Sequence, residues 1–181
     1  MIDPQLIEEC RNGNLQSFRK LIEASSPYAF SVALRMIGDE ELAKDIVQET
    51  MITVWLKMKK IKSPGSFKTW MYRIVMNKCY DHFRKMKKQV EETTGEKTWA
   101  LVSNQISENP DCRFENNEIA QLIKLLTVRL SPVQKAVFVL SDLEEMTAEE
   151  IEEITGMSRR NIKANLHYAR KRIGEMIEKY L

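Results

Sequence analysis

Apolar residues recur every three to four positions along most of the chain, which is the spacing of one face of an α-helix. Gly and Pro are few, at 6 and 5 residues, so helices are rarely interrupted. Asp3-Pro4 predicts the start of the first helix, because an aspartate cap followed by proline suits a helix N-terminus. The pattern predicts helices over about residues 4–12, 15–25 and 28–37, with breaks at Gly13, Pro27 and Gly38.

A longer helix is predicted over residues 40 to about 58, with Asp39 as its cap. Its inward face is formed by Leu42, Ile46, Val47, Thr50, Val54, Trp55 and Met58. The loop KKIKSPGS over residues 59–66 follows, and Ser66 is the predicted cap of the next helix, over about residues 67–87. The inward positions of that helix are Trp70, Met71 and Ile74.

The pattern changes after residue 88, where Glu, Thr, Asn and Ser dominate and no helical stripe persists. We interpret this stretch as a flexible acidic linker, whose short apolar cluster Trp99–Val102 is expected to dock on another part of the protein. Helical spacing resumes near Ile119. The chain is therefore predicted to be all-α, with two small helical domains, 1–88 and 119–181, joined by the linker 89–118.

The C-terminal domain contains a helix-turn-helix pattern. Ser131-Pro132 opens a helix through Leu140, and Thr147 with Glu150 forms a capping box for a short helix. Gly156 suits the turn, and Ser158 can cap the last helix. That helix has an apolar face formed by Ile162, Leu166, Ala169, Ile173 and Ile177, and its opposite face carries Arg160, Lys163, Ala164, His167 and Lys171. A short acidic helix, a turn and a basic helix in this order predict binding in a DNA major groove.

Charge is distributed in blocks, although the net charge of the 181 residues is only +2. Residues 55–88 carry 11 basic and 1 acidic side chains, and residues 158–181 carry 7 basic and 2 acidic ones. The segments 1–54, 89–118 and 119–157 have net charges of −4, −5 and −4. Two basic blocks separated by acidic segments predict two separate contacts with phosphate.

The first basic block also contains aromatic residues, in FKTWMYRIVMNKCYDHFRKMKK over residues 67–88. Cationic side chains neutralise phosphate and aromatic rings hold unstacked bases, so this composition suits single-stranded or melted DNA. Phe67 and Trp70 also lie at core spacing, which favours a structural role for both of them.

Several classes of protein are not expected. The N-terminus has no apolar h-region, and no apolar run approaches the roughly 18 residues of a membrane span, so we expect no direct membrane insertion. Cys10, Cys79 and Cys112 lie far apart without metal-ligand spacing, which fits a reducing cytoplasm. There is no P-loop, no catalytic triad and no metal constellation, and His82 and His167 fall in different domains. We therefore expect no enzyme activity, no cofactor, no metal and no small-molecule substrate.

Four stretches together carry a resemblance to a known family. They are FRKLIEASSPYAFSVALRMIGD from Phe18, AKDIVQETMITVW from Ala43, GSFKTWMYRIVMNKCYDHFRK from Gly65, and the helix-turn-helix from Leu130 to Ile173. The first three resemble region 2 of an extracytoplasmic-function (group IV) sigma factor of the bacterial sigma-70 family, and the fourth resembles region 4. The order of the stretches and the absence of an intervening domain also match that family.

The resemblance implies binding to core RNA polymerase and promoter DNA. The polymerase-binding residues that it implies are Asp45, Gln48 and Glu49. It also implies that the −10 element is opened and that a flipped base is held by a loop and helix. The residues implied for this contact are Lys59, Lys60, Lys62, Ser63, Ser66, Arg73, Asn77, Lys78, Arg84 and Lys85.

Region 4 of the family reads the −35 element as a duplex. The residues implied for this contact are Arg159, Arg160, Lys163, Ala164, His167, Tyr168, Arg170 and Lys171. Members of the family often have serine at the position of Ala164 and arginine at those of Asn165 and Tyr168, and the sequence departs from this pattern. An absent arginine removes a possible bidentate contact to guanine, about 1–3 kcal/mol of discrimination. Two alternatives follow from this departure: the bound −35 sequence differs from that of the family, or binding rests more on phosphates and DNA shape.

Two further expectations follow from the resemblance. The acidic linker is expected to lie near the RNA path of the polymerase, and an anti-sigma factor is an expected partner. Two alternatives remain open from the residues alone. One is a free-standing helix-turn-helix regulator, which would bind duplex DNA as a dimer without polymerase. The other is a helical protein whose basic faces contact acidic partners.

Overall fold

The computed structural model describes residues 3–61, 63–94, 127 and 129–180, and it contains no β-strand in those ranges. Its α-helices are α1 Pro4–Arg11, α2 Leu15–Ile37, α3 Glu40–Lys57, α4 Phe67–Thr94, α5 Pro132–Phe138, α6 Ala148–Thr155 and α7 Arg159–Tyr180. Short 3₁₀ turns cover Met58–Lys60 and Pro64–Ser66, and one turn of π-helix covers Val139–Leu143. The prediction of an all-α chain with two helical domains is confirmed.

Side-chain caps begin three helices of the N-terminal domain, and two of these caps, Asp3 and Asp39, were predicted from the sequence. The Asp3 carboxylate accepts from the Gln5 backbone N–H at 2.9 Å, and that of Asp39 accepts from the Leu42 N–H at 2.9 Å. The Asn14 side chain accepts from the N–H groups of the first turn of α2. Each cap satisfies donors that a helix N-terminus leaves without an intrahelical partner.

The predicted break at Pro27 is wrong, because α2 runs without interruption from Leu15 to Ile37. Proline removes one hydrogen bond within a helix and disfavours its interior. Here Pro27 lies on the exposed side, while Leu21 and Ala29 on either side of it are buried in the same core. Burial of one continuous face therefore outweighs the local preference for a break.

Helix α4 is longer than predicted and extends six residues into the segment assigned to the linker. Residues 95–126, which include Trp99–Val102, lie outside the described residues. At the start of the helix, the Ser66 hydroxyl donates to the Ser63 carbonyl at 2.8 Å. The inward positions of α4 include Phe67, Met71 and Tyr72, each at most 2% exposed.

The C-terminal domain has the predicted caps. Ser131 and Thr147 each form a capping box with the residue three positions later, and Gly156 ends α6 with φ +72°. The Asn161 N–H donates to the Ser158 hydroxyl at 3.4 Å. On α7, Ile177 was predicted to face inward but is 40% exposed, and Met176 is buried at that end. The true helical period of 3.6 residues favours Met176 over a residue four positions after Ile173.

The two domains pack against each other through one continuous apolar core. Helix α6 contacts α4, and the π turn contacts α2. The core includes Met76 and Val32 from the N-terminal domain and Leu140 and Ile151 from the C-terminal domain, each at most 1% exposed. In the free protein the two helical domains therefore form a single packed body.

The described cysteines are buried thiols. Cys10 and Cys79 are both free, at 2% and 0% exposure, and burial raises the pKa of Cys79 to about 12. Both therefore behave as small apolar side chains. Cys112 lies outside the described residues. None of the described helices is both long and apolar enough to cross a bilayer.

Two glycines of the C-terminal domain should respond in opposite ways to alanine. Gly156→Ala should lower the free energy of unfolding by about 1 kcal/mol, because its left-handed φ of +72° is unfavourable for a residue with a Cβ atom. Gly174→Ala, within α7, should raise it by about 0.5–1 kcal/mol, because alanine restricts the unfolded chain and the site has space for the added methyl. Urea unfolding measures both; changes of the same sign would contradict this account.

Candidate nucleic-acid interface

Helix α7 presents one basic face to solvent. Arg160, Lys163, Ala164, His167 and Lys171 are all exposed. The opposite side is anchored in the C-terminal domain by Ile162, Ala169 and Ile173, with exposures of 3%, 0% and 7%. Tyr168 is 57% exposed and its ring lies 5.7 Å from that of His167. The structure thus places these predicted −35 residues on one accessible side of a well-anchored helix.

Two other predicted −35 residues form ion pairs within the protein. Arg159 contacts Glu149 at 2.7 Å and Glu152 at 3.1 Å, which ties the start of α7 to α6. Arg170 makes a bidentate contact with Asp142, at 2.8 and 2.6 Å. These contacts link α7 to α6 and to the π turn. Phosphate must therefore compete with carboxylates for both guanidinium groups.

The Asp142–Arg170 pair should make stability depend on pH. The hydrogen bond from Arg170 holds the pKa of Asp142 below its ordinary value, so the pair stabilises the fold at neutral pH. That contribution should disappear as the pH falls from about 4 through the lowered pKa. Asp142→Asn should cost below about 1 kcal/mol at pH 7, because Arg170 is 59% exposed, and almost nothing at a pH below the lowered pKa of Asp142.

Urea unfolding at several pH values measures this effect. Glu153→Gln, an exposed charge change on α6, is the control and should leave the pH profile unchanged. A constant difference between wild type and Asp142→Asn over the whole acid range would contradict the assignment.

The predicted −10 residues surround the start and middle of α4. Arg73 and Asn77 are exposed one turn apart, on the side away from the buried Tyr72 and Met76. Lys59, Lys60 and Ser63 are exposed in the preceding loop, Ser66 is half-buried, and Lys62 lies outside the described residues. The surface therefore offers cations and one amide next to a loop.

The aromatic residues of this basic block belong mainly to the core. Phe67, Tyr72 and Phe83 are 2%, 0% and 7% exposed, and Trp70 and Tyr80 are half-buried. Burial raises the pKa of Tyr80 to about 12. Stacking of bases on this block is therefore restricted to the accessible edges of Trp70 and Tyr80.

Predicted polymerase-binding and −10 residues line one common hollow. It lies between α3 and α4 and has a volume of about 500 Å³. Its titratable lining residues are Asp45, Glu49, Lys78, Asp81, His82, Arg84, Lys85 and Lys88. Lys78 contacts the Glu49 carboxylate at 2.8 Å, which lowers the pKa of Glu49. The ion pair thus joins a residue predicted to bind polymerase to one predicted to bind DNA.

On its other side, α3 borders an apolar groove that was not predicted from the sequence. The groove lies against α2, has a volume of about 900 Å³, and includes Gln48 in its lining. Leu15, Ile52 and Leu56 line it as well and are 69%, 55% and 74% exposed. Ile52 and Leu56 lie one turn apart and outside the buried stripe of α3, a signal that was present in the sequence. Such exposed apolar clusters mark interaction surfaces.

Comparison with known proteins agrees with the two-part architecture. Residues 21–89 match the family described as Sigma-70 region 2, and residues 119–173 match Sigma-70, region 4. The ECF RNA polymerase sigma factor SigW of Bacillus subtilis is 23% identical, over 98% of this chain and 97% of that protein. SigE of Mycolicibacterium smegmatis is 24% identical over 92% of this chain, which spans 63% of that protein.

A solved structure shares the fold. The sigma factor RpoE of Bartonella quintana, in a co-crystal with the anti-sigma factor NepR, superposes with a TM-score of 0.70. It is 21% identical, and the match covers 91% of this chain and 98% of that one. The two matched regions and their order lead to one conclusion: this chain belongs to the extracytoplasmic-function group of the sigma-70 family, the RNA polymerase sigma factors that direct transcription initiation.

Proposed function

We propose that this sigma factor reads the −35 element with α7 and opens the −10 element with α4 while bound to core RNA polymerase. The observation that carries the proposal is the presence of two exposed cationic surfaces, one in each domain, beside an exposed apolar groove. Cationic side chains supply the affinity for phosphate, and the groove supplies a contact for protein.

At the −35 element, Lys163 and His167 face the major groove and Arg160 and Lys171 contact phosphates. Ala164 lies between them, and its small side chain permits close approach of the helix backbone. Asn165, where family members carry arginine, donates its amide to the Asn161 carbonyl at 2.8 Å. One of its two amide N–H groups is thus used within the helix, and we propose that recognition rests mainly on the cations and on DNA shape.

At the −10 element, Arg73 and Asn77 hold an extruded base, and the cations around them hold the backbone. Extrusion costs a few kcal/mol, which contacts to the base and to polymerase must offset. The preceding loop, with Lys59 and Lys60, contacts the displaced strand. No bond in the DNA or in a nucleotide is broken by these residues, so the protein acts as an initiation factor without a catalytic site of its own.

Core polymerase binds the exposed ridge of α3 in this proposal. Asp45 and Glu49 project towards the hollow on one side of the ridge, and Gln48 projects towards the apolar groove on the other. The groove residues Ile52 and Leu56 extend this surface by one turn. A mixed surface of this kind combines charge steering with apolar burial.

Two further proposals concern partners and place of action. An anti-sigma factor is proposed because RpoE, which shares this fold, was solved with NepR. We also place the protein in the cytoplasm, where polymerase acts. The acidic linker is proposed to enter a basic channel for RNA, and its acidic residues beyond Thr94 lie outside the described residues. Neutralising them should change the ratio of abortive to full-length transcripts.

Reconstituted transcription tests the proposed function. Purified protein and core polymerase should together initiate from a promoter template, and neither should do so alone. The alternative of a free-standing regulator predicts instead a nanomolar gel shift on duplex DNA by the protein alone at physiological salt. That result without initiation would overturn the proposal.

A further inference from the structure

One carboxylate of the C-terminal domain is buried against the N-terminal domain. The Glu144 side chain is 9% exposed, and its Oε1 accepts from Arg35 at 2.5 Å and from the Ser31 hydroxyl at 3.3 Å. Its Oε2 accepts from the Tyr72 hydroxyl at 2.7 Å. Arg35 also donates to the Leu143 carbonyl at 3.3 Å. Three side chains from α2 and α4 thus converge on one residue that lies more than 70 positions away in sequence.

The backbone around Glu144 has unusual conformations on both sides. One turn of π-helix, Val139–Leu143, precedes it. Glu145 follows with φ +53°, the one positive φ at a non-glycine residue in the described part of the chain. π turns and strained residues persist where surrounding contacts compensate for them. Here the compensating contacts are those of Glu144 and of Met146, which is 6% exposed.

A buried carboxylate of this kind is stable only while its partners are present. Removal of one partner leaves an uncompensated charge in an apolar setting, because Leu140, Met76 and Ile151 around the interface are at most 1% exposed. When the domains part, water can solvate both Glu144 and Arg35. The contact therefore has two favourable states, fully made and fully hydrated, and its intermediate states are unfavourable.

With its two domains packed together, the protein is too short to reach both promoter elements at once. Elements centred at −35 and −10 lie about 85 Å apart along B-form DNA, at about 3.4 Å per base pair. A compact chain of this length has a radius of gyration of only about 16 Å, and therefore a diameter near 40 Å. The 32 residues of segment 95–126 can span up to about 105 Å, so the chain permits the domains to separate.

We propose that Glu144 is an interdomain latch, which closes the free protein and must release before α4 and α7 contact their separate promoter elements. Arg35, Tyr72 and Ser31 donate the hydrogen bonds that hold Glu144 in the closed state. The closed form of the free protein does not depend on the proposed function. The requirement that it open for promoter binding does rest on the proposed function. The closed state leaves Arg73 and Lys163 exposed, so it limits the spacing of the two DNA contacts and not their accessibility.

Small-angle X-ray scattering on the full chain without polymerase tests the closed state. The wild type should be compact, near about 16 Å, and Glu144→Lys should increase its radius of gyration by several ångströms, because lysine faces Arg35. The exposed Glu153→Lys makes the same charge change on α6 and should remain compact. Adding Arg35→Glu to Glu144→Lys should restore compactness by exchanging the two charges.

Several outcomes would overturn the latch. They are an expanded wild type, a Glu144→Lys protein as compact as wild type, or equal expansion of Glu153→Lys. Circular dichroism checks that helices are retained; where Glu144→Lys loses them, the isosteric Glu144→Gln takes its place, and a compact Glu144→Gln protein overturns the proposal.

Transcription with core polymerase tests the release step. Glu144→Lys should reach half-maximal initiation at a protein concentration at least about threefold lower than wild type, because the closed state reduces apparent affinity. An unchanged half-maximal concentration together with an expanded free form would overturn the release step. Failure of the wild type to initiate would instead overturn the proposed function, and the scattering contrast would remain.

Discussion

Replacement of Ile52 by glutamate should weaken binding to core RNA polymerase by at least about tenfold, or 1.4 kcal/mol. Ile52 is 55% exposed in the groove between α2 and α3, so its side chain is available to a partner. Burying such a side chain contributes about 1.5–3 kcal/mol, and a glutamate there would leave an unpaired charge in the interface. Biolayer interferometry with immobilised core polymerase measures the affinity.

The matched control is Ile177→Glu on α7, where the isoleucine is 40% exposed and outside the groove. It makes the same chemical change and should bind core polymerase like the wild type. Because both positions are exposed, neither variant should lose its fold, and thermal unfolding verifies this. Equal losses of affinity in the two variants, or wild-type affinity for Ile52→Glu, would remove the groove from the polymerase-binding surface.

The features that the sequence predicted well are local ones. The caps at Asp39 and Thr147 depend on residues within one turn of each other, and the left-handed turn at Gly156 depends on one residue. A pattern of neighbouring residues contains all the information that such features need. The exposed basic face of α7 was predictable for the same reason, since helical spacing alone separates it from the apolar face.

Predictions that failed involve competition between local preference and packing. Pro27 disfavours a helix interior, but burial of one continuous face across it stabilises α2. The extension of α4 to Thr94 carries no apolar stripe in the sequence, so the spacing of apolar residues did not predict it. Neither helix boundary can be predicted from the spacing of apolar residues alone.

The contact of Glu144 with Arg35 and Tyr72 was beyond prediction from a single sequence. Nothing in the neighbourhood of any of these residues indicates which residue far along the chain it meets. The same limit applies to the roles of Arg159 and Arg170, which were predicted to contact DNA and also form ion pairs with Glu149 and Asp142. Charge alone does not distinguish a cation that is exposed to ligand from one held by a neighbouring acid.

Reversal of charge at Lys163 should reduce promoter-specific initiation by at least about tenfold while core polymerase is bound normally. Lys163 is exposed in the first half of α7, next to Ala164, and we propose that this part of the helix comes closest to DNA. Lys163→Glu removes the proposed major-groove contact and adds a negative charge close to the phosphates, so it should also reduce the salt dependence of promoter binding by about one counterion. Run-off transcription and a salt titration of complex formation measure the two effects.

The control for Lys163→Glu is Lys20→Glu, which makes the same change of two charge units on the exposed side of α2. Long-range repulsion from DNA is common to both variants and is screened beyond about 10 Å at 0.1 M salt, so only a direct contact can separate them. A promoter that lacks its −35 element provides a second control, on which Lys163→Glu and wild type should initiate equally. If Lys20→Glu lost as much activity as Lys163→Glu, or if the Lys163→Glu defect persisted without the −35 element, α7 would have no local role in recognition and the defect would reflect net charge alone.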